Sequence, residues 1–150
     1  MASEDKIREG ARPWLEAGED VLAAFVARPR GWTQANAGSL HVGANQQGKA
    51  YEGAEAAGFA LASPMALAIT DRRLLSFEMG AQAGMGVGGG VKELAGQAPL
   101  ADVDAIKVKR LLMGKVVEVV VRGESFKLEA GAGANAKGVA EAFERSRAGA

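Results

Sequence analysis

Asp102 and Asp104 stand two residues apart at the entrance to an extended stretch, a spacing that points both carboxylates to the same side. Two acids so placed are the raw material of general acid–base chemistry. No histidine or further acidic cluster adjoins them, and aspartate at a strand entrance commonly makes turn hydrogen bonds, so a structural role is the better reading. Two glycine-rich stretches have the outline of phosphate cradles. Gly43-Ala44-Asn45-Gln46-Gln47-Gly48-Lys49-Ala50 follows P-loop spacing, but Ala50 stands where a hydroxyl would hold Mg²⁺. Gly84-Met85-Gly86-Val87-Gly88-Gly89 satisfies the dinucleotide pattern by letter, yet Gly96 stops the next segment before a helix can form. His41 is alone in a polar, glycine-rich stretch and reads as a solvated loop side chain. No serine sits in a nucleophile elbow. These residues predict no catalytic, cofactor-binding or metal site.

Composition supports that expectation. Cys 0 excludes disulfides and thiolate metal sites, and His 1 excludes histidine-rich ones. The 150 residues are enough for one domain with a true core. With 18 basic and 18 acidic side chains the net charge is +0, unlike that of a dedicated nucleic-acid binder. No apolar run approaches the ~18 residues of a spanning helix, and the acidic start Met1-Ala2-Ser3-Glu4-Asp5 lacks a secretory pattern. A cytoplasmic location is expected. The 21 glycines are about twice ordinary usage, so glycine motifs arise easily by chance.

The neutral total hides two charged ends. Residues 107–127 carry six basic side chains (Lys107, Lys109, Arg110, Lys115, Arg122, Lys127) against Glu118 and Glu124. Residues 1–20 carry three basic side chains against six acidic ones. Lys107 and Lys109 leave an alternating strand on one outward face, with Arg110 and then Leu111-Leu112-Met113-Gly114 at its end. Such a tip could enter an anionic membrane surface, apolar residues first. The plainer alternative is that the charges keep a sheet edge soluble and the leucines fold inward.

The elements that must position these residues are legible in outline. Ser3, Glu4 and Asp5 start a helix, which Gly10 and Pro13 divide into two short pieces within residues 1–20. Val21–Ala27 reads as a buried strand. Residues 32–64 read as a Gly/Ala-rich insertion, partly mobile, with at most a short helix between Glu52 and Leu61. Met65–Thr70 and Arg73–Glu78 are strands around Asp71-Arg72, with Leu75 and Phe77 on one face and Ser76 and Glu78 on the other. A glycine-rich loop at 80–90 follows. Further strands are expected at Ala105–Arg110, Lys115–Val121 and Glu124–Glu129, the last two joined by a tight Arg122-Gly123 turn. Ala134–Arg147 has the stripe of an amphipathic helix. Val117, Val119 and Val121 share the core face, which leaves Val116 and Val120 opposite them as a candidate interface.

Strands first and a helix last predict a mainly β, α+β protein. The run Leu67-Ala68-Ile69-Thr70-Asp71-Arg72-Arg73-Leu74-Leu75-Ser76-Phe77 resembles the Thr-Asp-Arg-Arg signature of bacterial pleckstrin-homology-like and GRAM-like domains. Pro99-Leu100-Ala101-Asp102-Val103 is similar to their Pro-Leu-x-Asp-Ile stretch, and the later strands and helix follow in the same order. The resemblance covers about residues 65–147, with Val21–Ala27 as first strand. It implies an antiparallel barrel of about seven strands capped by a C-terminal helix, spanning 21–147. It also implies a non-catalytic module that binds a headgroup, a peptide or its own copies. Headgroup-binding members use a basic residue in the first strand and a basic pair after it. Here Arg28 and Arg30 supply the pair, but Val21–Ala27 holds no basic residue.

The expectation is therefore a binding or assembly module for a protein partner or its own copies, with Val116 and Val120 at the interface and no nucleic acid. The alternative is peripheral binding to anionic phospholipid on the inner face of the membrane. Arg28, Arg30, Lys107, Lys109, Arg110, Leu112 and Lys115 are the candidate contacts for that reading.

Overall fold

The fold comes from a computed structural model, which describes residues 3–30, 40–62, 64–80, 90–112 and 114–148. Helix α1 (Ser3–Ala11) and a single tight turn of helix (Arg12–Trp14) lead into β1 (Val21–Pro29). Helix α2 (Leu40–Ala57) comes next, followed by β2 (Met65–Thr70), β3 (Arg73–Met79), β4 (Val91–Pro99), β5 (Val103–Leu111), β6 (Gly114–Val121), β7 (Glu124–Ala130) and α3 (Ala136–Ala148). The break between α1 and the short turn falls where Gly10 and Pro13 predict it.

All seven strands are antiparallel to their neighbours, in the order β4-β3-β2-β1-β7-β6-β5. The expected barrel is not closed, since β4 and β5 remain the two edges of the sheet. Its two halves meet at the end of β1. That strand pairs with β2 along Val21–Ala27 and then with β7 only at Arg28 and Pro29. Helix α3 packs against β1, β2 and β5, so a helix occupies the gap that strand pairing leaves open.

Inward-facing residues from both halves form one core: Phe25, Leu67, Ile69, Leu74, Ile106, Val117, Val119, Phe126 and Leu128, with Ala136, Val139, Ala142 and Phe143 from α3. All five phenylalanines are buried, each contributing roughly 1.5–3 kcal/mol by removal from water. A second core lies on the opposite face of β1–β3. There Ala24, Ala66, Ala68, Leu75 and Phe77 are covered by Ile7 and Ala11 of α1, and Trp14 meets Phe77 edge-on with centroids 6.0 Å apart. Leu75 and Phe77 share a face as predicted, but it is the face under α1. Ser76 faces the other way and donates to the Ala60 carbonyl at 2.6 Å.

A further expectation needs correction. The insertion at 32–64 is not a loop with a short helix after Glu52, because α2 runs for 18 residues through its middle. Ala50, Ala54 and Ala57 form its buried stripe. Gly58, at φ +70°, ends it: the Gly58 N–H donates to the Glu55 carbonyl and the Phe59 N–H to the Ala54 carbonyl. The remaining strand, β4, begins directly after the glycine-rich stretch, in residues to which the sequence reading assigned no element. Residues 81–89 lie outside the described residues. Their flanks meet through a hydrogen bond from the Gly80 N–H to the Gly90 carbonyl.

Candidate functional site

Strand register gathers basic residues that lie far apart in the chain. On β5, Ile106 faces the core and Lys107 and Lys109 face away, all as the alternation predicts. Across the sheet Lys107 is opposite Glu118, and Glu118 is opposite Lys127. In the next row Lys109 is opposite Val116, Val116 opposite Glu129, and Glu129 opposite Arg28. Arg30 continues β1, its N–H donating to the Lys127 carbonyl at 3.0 Å and its Nη1 pairing with Glu129 at 3.1 Å. Arg28, Arg30, Lys107, Lys109 and Lys127 therefore share the outer face of this half-sheet with Glu118 and Glu129, a surplus of three positive charges. No local spacing links residues 28–30 with residues 107–109, and only the pairing of β1 with β7 does so.

The β5–β6 hairpin carries that face to an apolar tip. Leu111 is exposed and Leu112 fully so, at 101% of its reference area. Lys107, Lys109 and Arg110 are exposed beside them. Met113 lies outside the described residues. Lys115 is engaged elsewhere: it is half-buried, and its Nζ donates to the Ala134 carbonyl at 2.8 Å, just before α3. Val116 is buried and Val120 half-buried, so Val120 is the more accessible of the two candidate interface residues.

A cleft of about 330 Å³ lies between α2 and β7, lined by Arg30, Lys49, Ala50, Ser125, Phe126 and Lys127. It exists because β1 leaves part of β7 unpaired, and α2 packs there. Sequence reading missed Lys49 as a partner of Arg30 because α2 itself was not foreseen.

The residues with catalytic outlines are placed differently. Asp102 Oδ2 pairs with Arg122 Nη2 at 3.0 Å, and the Asp104 carboxylate accepts from the Gly123 N–H at 2.8 Å. Together they hold the β6–β7 turn, where Arg122 and Gly123 both have positive φ, at 52° and 80°. Gly43–Ala50 is helical, inside α2, rather than a loop between a strand and a helix. His41 lies in the same helix. Gly84–Gly89 lies outside the described residues. Among the described residues no group of three or more His, Asp or Glu side chains is arranged to hold a metal ion.

The Thr70-Asp71-Arg72-Arg73 run forms a clasp on the N-terminal segment. Thr70 Oγ1 accepts from the N–H groups of Arg72 and Arg73 at 3.0 and 2.9 Å and donates to Glu19 Oε2 at 2.7 Å. Arg73 Nε reaches the same Glu19 oxygen at 3.0 Å, and its Nη2 reaches the Trp14 carbonyl at 3.1 Å. Arg72 holds the Ala17 carbonyl and Glu16. The Arg73 hydrogen bonds outweigh burial and, with those from Glu16 N–H and Thr70, hold the Glu19 carboxyl at about 2. The same carboxylate raises the Arg73 pKa.

No protein-family model matches the chain, and no curated protein matches it either. Among solved structures the chain is similar to a DUF1696-family protein with a pleckstrin-homology domain from Shewanella loihica PV-4. That similarity covers 97% of each chain at 11% identity, with a TM-score of 0.49. Seven antiparallel strands followed by a helix are the plan the sequence resemblance implies, with an open sheet in place of a closed barrel.

Proposed function

We propose that this protein is a non-catalytic binding module that docks on anionic phospholipid through the β5–β6 hairpin. The observation that carries the reading is Leu112, fully exposed beside Leu111 and flanked by Lys107, Lys109 and Arg110. Two leucines at an exposed tip lose contact with water on entering the headgroup boundary. Each basic residue close to an anionic leaflet adds about 1 kcal/mol. The charge surplus on the outer face behind the tip orients the molecule in the same direction. This reading puts the protein in the cytoplasm, at the inner face of the membrane.

Co-sedimentation with phosphatidylserine-containing and with neutral vesicles, at low and high salt, tests it. The expected result is salt-sensitive binding to the anionic vesicles only. Leu112→Ala and the pair Lys107→Ala/Lys109→Ala should each weaken binding severalfold while leaving the melting temperature unchanged. Absence of binding at low salt defeats the proposal.

Assembly with its own copies is the second reading, favoured by charge. Glu16, Asp20 and Asp71 are exposed around the clasp and outnumber the exposed Arg12 and Arg72 beside them, a small negative surplus opposite in sign to the outer face of β5–β7. Contacts between unlike ends are head-to-tail, closing into rings or continuing as filaments. A native mass that stays monomeric at low salt removes this reading.

A further inference from the structure

We propose that the cleft between α2 and β7 is a binding site for a small, phosphate-bearing anion, separate from the hairpin tip. Among the described residues three cations, Arg30, Lys49 and Lys127, line it together with Ser125, and no carboxylate does. Lys49 and Lys127 have no ion pair among the described residues. Arg30 has one, to Glu129 at 3.1 Å, which steadies its guanidinium at the cleft wall through a single nitrogen. A guanidinium has five donors in a fixed fork suited to phosphate oxygens, and two ammonium groups add mobile point charges. Ser125 Oγ donates to Glu118 at 2.7 Å, so among the described residues the polar groups left to a ligand are the three cations.

Glu129 offsets Arg30, which leaves Lys49 and Lys127 as the uncompensated charges, and a multivalent anion relieves the repulsion between them. Ala50 and Phe126 give the cleft its apolar floor, and Lys49 and Lys127 reach it from exposed positions. A volume of about 330 Å³ is at the small end of ligand sites, the scale of a compact anion and not of an extended chain. Phosphate chemistry fits best, because it offers several oxygens to a fork and two ammonium groups at once. The site needs α2, which the compact seven-stranded plan does not include, and Lys49 on α2 has no part in the membrane reading.

Pyrophosphate is the probe, titrated calorimetrically into the full chain at constant ionic strength. Saturable binding near one per chain is expected, with a rise in melting temperature. Lys49→Ala and Lys127→Ala should each weaken it about tenfold, the loss of one charge-assisted hydrogen bond. The control pair Lys107→Ala/Lys109→Ala, outside the cleft, should leave the affinity within about twofold, since distant exposed charges are screened. No saturable binding, or equal weakening by every basic substitution, overturns the proposal. Vesicles containing phosphatidic acid separate the two sources of the phosphate. Dependence of vesicle binding on Lys49, the cleft cation outside the outer face of β5–β7, identifies a lipid headgroup, whereas dependence of pyrophosphate binding alone identifies a soluble ligand.

Discussion

Glu19 reaches Arg73 and Thr70 with its side chain fully shielded from water, and a carboxylate there must stay charged for the clasp to hold. Its folded pKa of about 2 lies below the ordinary 4.5. The stabilisation is therefore complete above about pH 5 and lost as the pH falls toward 2, some 3 kcal/mol by linkage. Glu19→Gln leaves Arg73 without its counter-ion and should cost roughly 3–5 kcal/mol at pH 7. Urea unfolding across the acid range checks this: the gap between the two proteins should narrow steadily from pH 5 to pH 2. Parallel curves would show that another acid titrates there. The sequence made the Thr70–Arg73 corner visible as a turn and as the centre of a resemblance. Its purpose was not visible, because the acid it grips lies 51 residues earlier and no spacing rule connects the two.

Among the elements, α2 is the one that sequence reading lost, and its composition explains why. Its buried stripe is Ala50, Ala54 and Ala57, so the contrast between its faces is slight, and Gly48 and Gly53 argue against a helix. Gly53 is there for contact. A Cβ at that position would run into the Ser125 carbonyl on β7, backbone against side chain. Gly48, in the same helix, has nothing within 4 Å of such a Cβ. Opposite outcomes follow for one substitution. Gly53→Ala should destabilise by about 1–3 kcal/mol through overpacking, whereas Gly48→Ala should stabilise by about 0.5–1 kcal/mol through helix propensity. Thermal melts of both variants decide it, and a stabilised Gly53→Ala would mean that α2 stands farther from β7. The sequence reading carried the helix on to Leu61, although Gly58-Phe59 after an alanine run is a glycine stop with an apolar residue behind it. The edge strand β4 was not legible. Gly96 interrupts it, and its residues alternate poorly between buried and exposed.

Taken whole, the molecule has one sheet whose β1–β3 half carries an apolar layer on each side, and this changes the standing of the first twenty residues. Charge and helix signals separate 1–20 from 21–147 in the sequence, as though the segment were an appendage. In the fold, Ile7 and Ala11 are fully buried on the outer face of β1–β3, and Glu4 accepts from the Ala24 N–H at 3.0 Å and from Asn135 Nδ2 at 2.7 Å. Asn135 in turn accepts from the Gly138 N–H at the start of α3, so one acid joins both ends of the chain to the sheet. Period-2 reading assigns each strand one wet face. Here Ala66, Ala68, Leu75 and Phe77 make the second face dry as well, and only the small alanines in β2 hinted at it. Removing residues 1–20 should leave that face uncovered and a chain that associates non-specifically. Ile7→Asp is the gentler version, placing a carboxylate in the same layer at a cost on the order of 3 kcal/mol or more. Size-exclusion profiles and melts of both proteins provide the measure. If residues 21–150 alone remained monodisperse and melted with the full chain, the layer under α1 would contribute nothing to stability, and the clasp at Thr70–Arg73 would be holding a segment the fold does not need.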